Sequence, residues 1–173
     1  MESRAKILGH PAHQILIVFP LGLLGTSVIF DLLYWFTGNQ TFALVGFWMT
    51  VSGIIGGLIA SPFGTIDWLA IPEGTRAKRV GLLHGSGNFL VTFLFALSAY
   101  FRGGRAAHEP DGFTLVLSVT AFLLAMVTGW LGGELVDRLG VGVDDGANLD
   151  APSSLSNRKA SERVSDEERS RIF

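Results

Sequence analysis

The sequence predicts an all-α integral membrane protein, a four-helix bundle followed by a polar tail. Two observations carry that prediction. The first is charge segregation: across residues 15–64 the only charge is Asp31, and residues 80–101 and 112–133 carry none. A soluble helix interleaves charged and apolar positions around its surface. Uncharged runs of about twenty residues instead match the length an α-helix needs to cross a hydrocarbon core of roughly 30 Å. The second is composition: of 173 residues, 49% are hydrophobic and only 16% charged. A net charge of -2 with no basic face gives no reason to expect a nucleic-acid partner. The chain has no cysteine, which excludes disulfides, thiolate metal sites and cysteine nucleophiles.

Residues 1–9 form a short segment with Arg4 and Lys6. The first helix is expected over about residues 10–36. Its apolar run exceeds the roughly 7–15 residues of a signal-peptide core, and no small-residue cleavage site follows Tyr34-Trp35-Phe36, so it reads as a retained span. Pro20 lies inside it and predicts a kink, because a proline inside a membrane span is tolerated when neighbours satisfy the freed carbonyl. Tyr34, Trp35 and Phe36 read as an interfacial aromatic belt.

Thr37-Gly38-Asn39-Gln40 is a tight turn, so the second helix, about 41–63, returns antiparallel. It is rich in small residues. Gly53 and Gly57 are four apart, as are Ser52 and Gly56, a spacing that lets helix backbones approach closely. Residues 63–76 read as a connection, marked by Gly64, Pro72 and Gly74. The third helix spans about 77–101 and the fourth about 113–139, with Gly129 and Gly133 again four apart. The membrane domain is therefore residues 10–140. Residues 141–173 are dominated by Ser, Asn, Asp, Glu, Arg and Lys; such a composition buries too little apolar surface to offset ordering, so a mostly disordered tail is expected, with a brief helix near 165–171.

Lysines and arginines set the expected topology. They occur at Arg4 and Lys6, at Arg76, Lys78 and Arg79, and from Arg138 onward, and are absent from the first turn. Cytoplasmic loops are enriched in Lys and Arg, so both termini are expected in the cytoplasm. Arg102 and Arg105, in the loop between helices three and four, run against that bias without reversing it.

The unusual residues then fall at one depth. Antiparallel spans bring His10, His13, Asp67, His84, Asn88 and Glu134 to the same side of the bilayer. Ionisable groups within a membrane are costly and usually face the bundle interior, which makes each a functional candidate. His84 and Asn88 share a helix face, being four apart. Each also has a plainer reading. His84 can make a structural bond across the bundle to Asp67 or Glu134, His10 and His13 can be solvated at the interface, and Asp67 can anchor its loop. Neutral imidazole is the commonest metal ligand. Two chemistries follow: haem b ligated by His10, His13 or His84 beside Asn88, or a transition metal held by His10, His13, His84, Asp67 and Glu134. Either implies electron transfer, with a redox partner or a homo-oligomer in the lipid bilayer. The alternative is a structural or partner-binding module using its glycine faces. A proton-coupled transporter is a third class, but four helices make a narrow bundle. No nucleotide-binding or hydrolase motif is present, so no enzymatic activity is assigned. Asp31 sits near the opposite side and reads as interfacial, and His108 reads as a solvated loop residue.

Several motifs resemble a bacterial membrane family known as domain of unknown function 2231. Gly9-His10-Pro11 with Phe19-Pro20-Leu21-Gly22-Leu23 and Phe30-Asp31 is similar to its opening. Gly64, Asp67-Trp68, Ile71-Pro72 and Gly74-Thr75 are similar to its second signature. His84 with Asn88 is similar to the third, and Gly132-Gly133, Leu135-Val136 and Gly140-Val141-Gly142-Val143 to its ending. The resemblance covers about residues 9–145. Where members often read Tyr-Arg-His-Gly, this chain has Asp137-Arg138-Leu139-Gly140 and so lacks that histidine. The resemblance implies a four-helix membrane domain, sometimes joined to iron–sulfur or other redox modules, in a prokaryotic inner membrane. It implies no established reaction.

Overall fold

A computed structural model of the chain describes residues 1–156 and 158–163. The helix expected near 165–171 lies outside the described residues. A two-residue hairpin opens the chain, β1 (Lys6–Ile7) paired antiparallel with β2 (His10–Pro11). The helices follow as α1 (Ala12–Leu16), α2 (Val18–Thr37), α3 (Gln40–Ala70), α4 (Arg76–Arg102) and α5 (Gly112–Gly133), the last continuing as a π turn, Glu134–Arg138. Taken with their short extensions, these make four stretches long and apolar enough to span a membrane. They run up, down, up and down. α2 packs most closely on α3, and α4 on α5; contacts of α3 with α4 and of α2 with α5 close the ring.

The first span departs from the predicted boundary. Helix begins at Ala12, so His10 and Pro11 lie in the hairpin rather than in a first helical turn. The helix is irregular at Ile17. Pro20 explains this: it lacks the N–H that would bond the Leu16 carbonyl, and its ring crowds that carbonyl. The span nonetheless continues, as expected of a proline tolerated within it: Ile17 keeps right-handed helical angles, its N–H bonds the His13 carbonyl at 3.0 Å and its carbonyl accepts the Leu21 N–H at 3.1 Å, so this is a local irregularity and not a break. The Gly38 turn is as expected, with φ at 67° closing α2 and the Asn39 side chain accepting from the Thr41 N–H to start α3.

α3 runs seven residues past its predicted end. Pro62 and Gly64 do not terminate it, and the predicted connection shrinks to residues 71–75. Pro62 removes the donor for the Leu58 carbonyl, and the Ser61 hydroxyl replaces it at 3.1 Å. Beyond Ala70, the buried Lys78 ammonium caps the helix end, donating to the carbonyls of Trp68 (3.1 Å) and Ile71 (3.2 Å). A cation at a helix C-terminus also complements its dipole.

Glycines on α3 set the α2–α3 approach. A methyl group at Gly53 would lie 2.7 Å from Leu24 Cγ, and one at Gly56 would lie 3.2 Å from the Pro20 ring. On α5 the expected pair is not used: Gly129 meets nothing within 4 Å, and Gly132 takes the packing role. The mid-bundle core is Leu24, Val28, Val91, Phe95 and Ala121. Large apolar side chains such as Phe19, Leu58, Phe89, Val116 and Trp130 face outward, as a lipid-solvated bundle requires.

The tail carries no helix or strand among its described residues after Arg138, consistent with its composition. Its first part nevertheless lies against the chain's beginning. The Met1 ammonium donates to the Gly140 carbonyl at 2.8 Å, the Gly142 N–H donates to the Met1 carbonyl at 2.9 Å, and Lys6 pairs with Asp144.

Candidate functional site

At the end of the bundle that holds both termini, two of the three candidate histidines face each other. The rings of His13 on α1 and His84 on α4 have centroids 6.3 Å apart and stand nearly perpendicular, at 88°. Each is held by the helix opposite. His13 Nδ1 lies 3.0 Å from the Ala60 carbonyl of α3, and His84 Nδ1 lies 2.8 Å from the Thr128 carbonyl of α5. A carbonyl oxygen only accepts, so in both rings Nδ1 carries the proton and donates it. In a neutral imidazole this leaves Nε2 as a bare lone pair.

Glycines make room for both rings. A methyl group at Gly64 would sit 2.9 Å from His13 Nδ1 and Cε1, and one at Gly132 would sit 3.1 Å from His84 Cε1. Ala60 and Gly64 are four apart on α3, as are Thr128 and Gly132 on α5. Each helix therefore presents a carbonyl and, one turn on, a notch, both aimed at one imidazole. All four spans contribute to a single locus.

Asn88 completes it. Its Oδ1 accepts from the Thr128 hydroxyl at 2.8 Å, which turns its amide nitrogen toward His84. That nitrogen is 3.1 Å from Nε2 and 3.5 Å from Nδ1. Distances so nearly equal place it over the ring rather than along the in-plane lone pair of Nε2. Asn88 steadies the imidazole without taking up its free nitrogen.

The other predicted site residues are placed elsewhere. His10 is exposed, and its Nε2 lies 3.1 Å from the Ser154 hydroxyl of the tail. Asp67 is buried and engaged by the N-terminal segment: Ser3 Oγ lies 2.7 and 2.9 Å from its oxygens, and the Arg4 N–H donates at 2.7 Å. Glu134 forms an ion pair with Arg76 at 2.6 Å. The five-residue metal cluster drawn from the sequence is therefore not assembled. Among the described residues no three His, Asp or Glu side chains converge on a point that could hold a metal ion. Equal depth brought these groups to one end of the bundle, but local partners turned His10, Asp67 and Glu134 away from it.

A second polar cluster, at the opposite end, went unread in the sequence. Asp31 and Arg102 are both 0% exposed. Arg102 Nη1 donates to Asp31 Oδ2 at 2.9 Å, and Nη2 stands 2.9 Å from Oδ1 in ion-pair contact without hydrogen-bond geometry. The guanidinium also donates to the carbonyls of Ala43 (3.1 Å) and His108 (2.8 Å). His108, expected to be solvated, stacks on Phe47 with centroids 3.9 Å apart. Gly46 leaves space for the carboxylate, since a methyl group there would fall 2.6 Å from Asp31 Oδ1. The signal available in the sequence was a lone aspartate inside an uncharged span.

Residues 9–145 match the model of the family described as predicted membrane protein (DUF2231). The chain belongs to this family. No curated protein and no solved structure matches it. The DUF2231 match takes in the four spans, both facing histidines, Asn88 and the Asp31–Arg102 pair, but not the first eight residues, which hold Asp67 from the outside.

Proposed function

We propose that this membrane protein is an electron carrier that holds one haem b between His13 and His84. The observation that carries the reading is the pair of Nδ1–H bonds to main-chain carbonyls, which leaves both Nε2 atoms as free donors on facing helices. Such a bond to the second ring nitrogen orients a metal-binding histidine and raises its basicity. A metal ion lies about 2.0–2.1 Å from an imidazole nitrogen, so rings this close serve one centre rather than two. The donor count favours haem over a bare ion. A first-row ion bound by protein side chains typically needs about four ligands, and two imidazoles supply only half. Haem would bring four nitrogen donors of its own, so that His13 and His84 would suffice to hold it. When bound, it would supply a one-electron couple at the terminal end of the bundle, within reach of a redox partner in the aqueous phase.

The Lys and Arg distribution supports both termini on the cytoplasmic side, and the family resemblance supports a prokaryotic inner membrane. Arg102 and Arg105, which ran against the topology, are spoken for: Arg102 is sealed against Asp31 inside the bundle, and Arg105 pairs with Asp111 at 2.7 Å. Arg102 thus belongs to α4 rather than to the loop that follows it, where Arg105 lies, while Arg4, Lys6, Arg76, Lys78 and Arg79 lie toward the terminal end.

The test is an absorption spectrum with metal analysis of detergent-purified protein expressed with adequate haem and iron. The expected result is a low-spin, six-coordinate haem spectrum with one iron per chain, lost or converted to high spin in His13→Ala and His84→Ala. A colourless wild-type protein with no bound metal overturns the proposal and leaves the alternative, a structural or partner-binding membrane module, in its place.

A further inference from the structure

We propose that Asp67 is the positioning residue of the His13–His84 site, clamping the N-terminal segment so that His13 is held in place; as a statement about a cofactor ligand, this rests on the function proposed above. His13 lies in the first turn of the first span, just before the irregular joint at Ile17, where Pro20 cannot donate to the Leu16 carbonyl. The first turn of a helix is secured by fewer backbone bonds than its interior, and the proline removes one more. The place of His13 therefore depends also on what holds the chain on its N-terminal side.

That hold is a single face of α3. Ala60 accepts from His13 Nδ1, Gly64 gives the ring its notch, and Asp67, one turn further, takes Ser3 and the Arg4 N–H. The three positions lie four and three apart, in line along the helix. The segment they grip is short and internally braced. Ser3 Oγ also lies 3.0 Å from the Ala5 carbonyl, and that residue accepts the Ala12 N–H at 2.8 Å, next to His13. Asp67 is thus tied to the histidine through Ser3, Ala5 and Ala12. The carboxylate is buried, with 9% exposure, and forms no ion pair among the described residues; hydrogen bonds from the strap are its compensation. A buried carboxylate without them is strongly disfavoured, so fastening the strap and burying Asp67 are one event. The acid read from the sequence as a ligand acts one step back from the metal.

Asp67→Ala removes every acceptor, whereas Asp67→Asn keeps an oxygen for the Arg4 N–H and an amide that can meet Ser3. The first readout needs no haem: the rate at which diethyl pyrocarbonate modifies each histidine, followed by mass spectrometry on the full chain in detergent. His13 is expected to react several-fold faster in Asp67→Ala, near the wild-type rate in Asp67→Asn, and His84 and His108 to be unchanged in both. The second readout is the haem: Asp67→Ala is expected to raise the high-spin fraction and shift the midpoint potential, with Asp67→Asn restoring both. Unchanged His13 reactivity in Asp67→Ala overturns the proposal. So does raised reactivity with an unaltered haem spectrum, or a loss of protection at all histidines together, which would mark general unfolding. A wild-type protein without haem overturns the function proposed above, while the reactivity of His13 still decides whether Asp67 holds it.

Discussion

Breaking the Asp31–Arg102 pair should be among the most damaging single changes available in this chain. Both side chains are fully buried, so neither charge has water to fall back on. Asp31→Ala would leave a guanidinium with only the Ala43 and His108 carbonyls. Removing one partner of a buried pair costs about 3–5 kcal/mol, because the remaining charge is uncompensated. Arg102→Met should cost a similar amount by stranding the carboxylate, whose Oδ1 already lacks a hydrogen bond. The double variant removes both charges, so it should be far less unstable than the sum, with a coupling of roughly 2 kcal/mol or more in a double-mutant cycle. Reversible unfolding in mixed detergent–SDS micelles measures all four corners. Single variants that each cost under about 1 kcal/mol and add without coupling would refute the reasoning, because that is the range of exposed pairs.

Three further outcomes are expected. Gly53→Ala drives a methyl group to 2.7 Å from Leu24 and should destabilise the bundle by about 1–3 kcal/mol in the same unfolding assay, whereas Gly129→Ala, which meets open space, should be neutral or mildly stabilising. Lys78→Met strips the ammonium from the Trp68 and Ile71 carbonyls and should cost about 1–3 kcal/mol, unlike Arg79→Met on the exposed face, which should change stability little. Attachment of the N-terminal hairpin should depend on pH. Hydrogen bonding to Lys6 holds the Glu2 carboxyl below its ordinary range, and hydrogen bonding to Asp144 and then Glu2 raises the Lys6 ammonium. The Glu2 contribution is complete above the ordinary carboxylate value and is lost as pH falls through its lowered one. The Lys6 contribution is complete below the ordinary lysine value and is lost as pH rises through its raised one. A spin label on Leu8→Cys, the only cysteine in that variant, should be least mobile around neutral pH and looser at either extreme; mobility independent of pH would contradict this.

Some of this was written in one dimension. The four spans follow from uncharged runs of membrane length, because the bilayer imposes one length and one polarity on any helix that crosses it. The common depth of His13, His84, Asp67 and Glu134 follows too, since rise per residue converts position directly into height. Azimuth does not follow. Whether a side chain at a given height faces its neighbours depends on which helix lies beside it and on how far each is rotated. His13 and His84 face each other because the Ala60 and Thr128 carbonyls and two glycine notches stand opposite them. Pro62 looked like a terminus because the Ser61 hydroxyl's service to the Leu58 carbonyl is a matter of geometry, not of residue type. Arg102 looked like a loop charge because its partner lies 71 residues earlier.

The linear order of residues was thus enough to decide that the chain crosses a membrane, how many times and at what heights, because the bilayer acts on each segment separately. Only the packed bundle decided which polar groups meet. Those meetings depend on pairs of segments, on rotations set by glycine-sized gaps, and on carbonyls that every residue carries and no sequence pattern distinguishes.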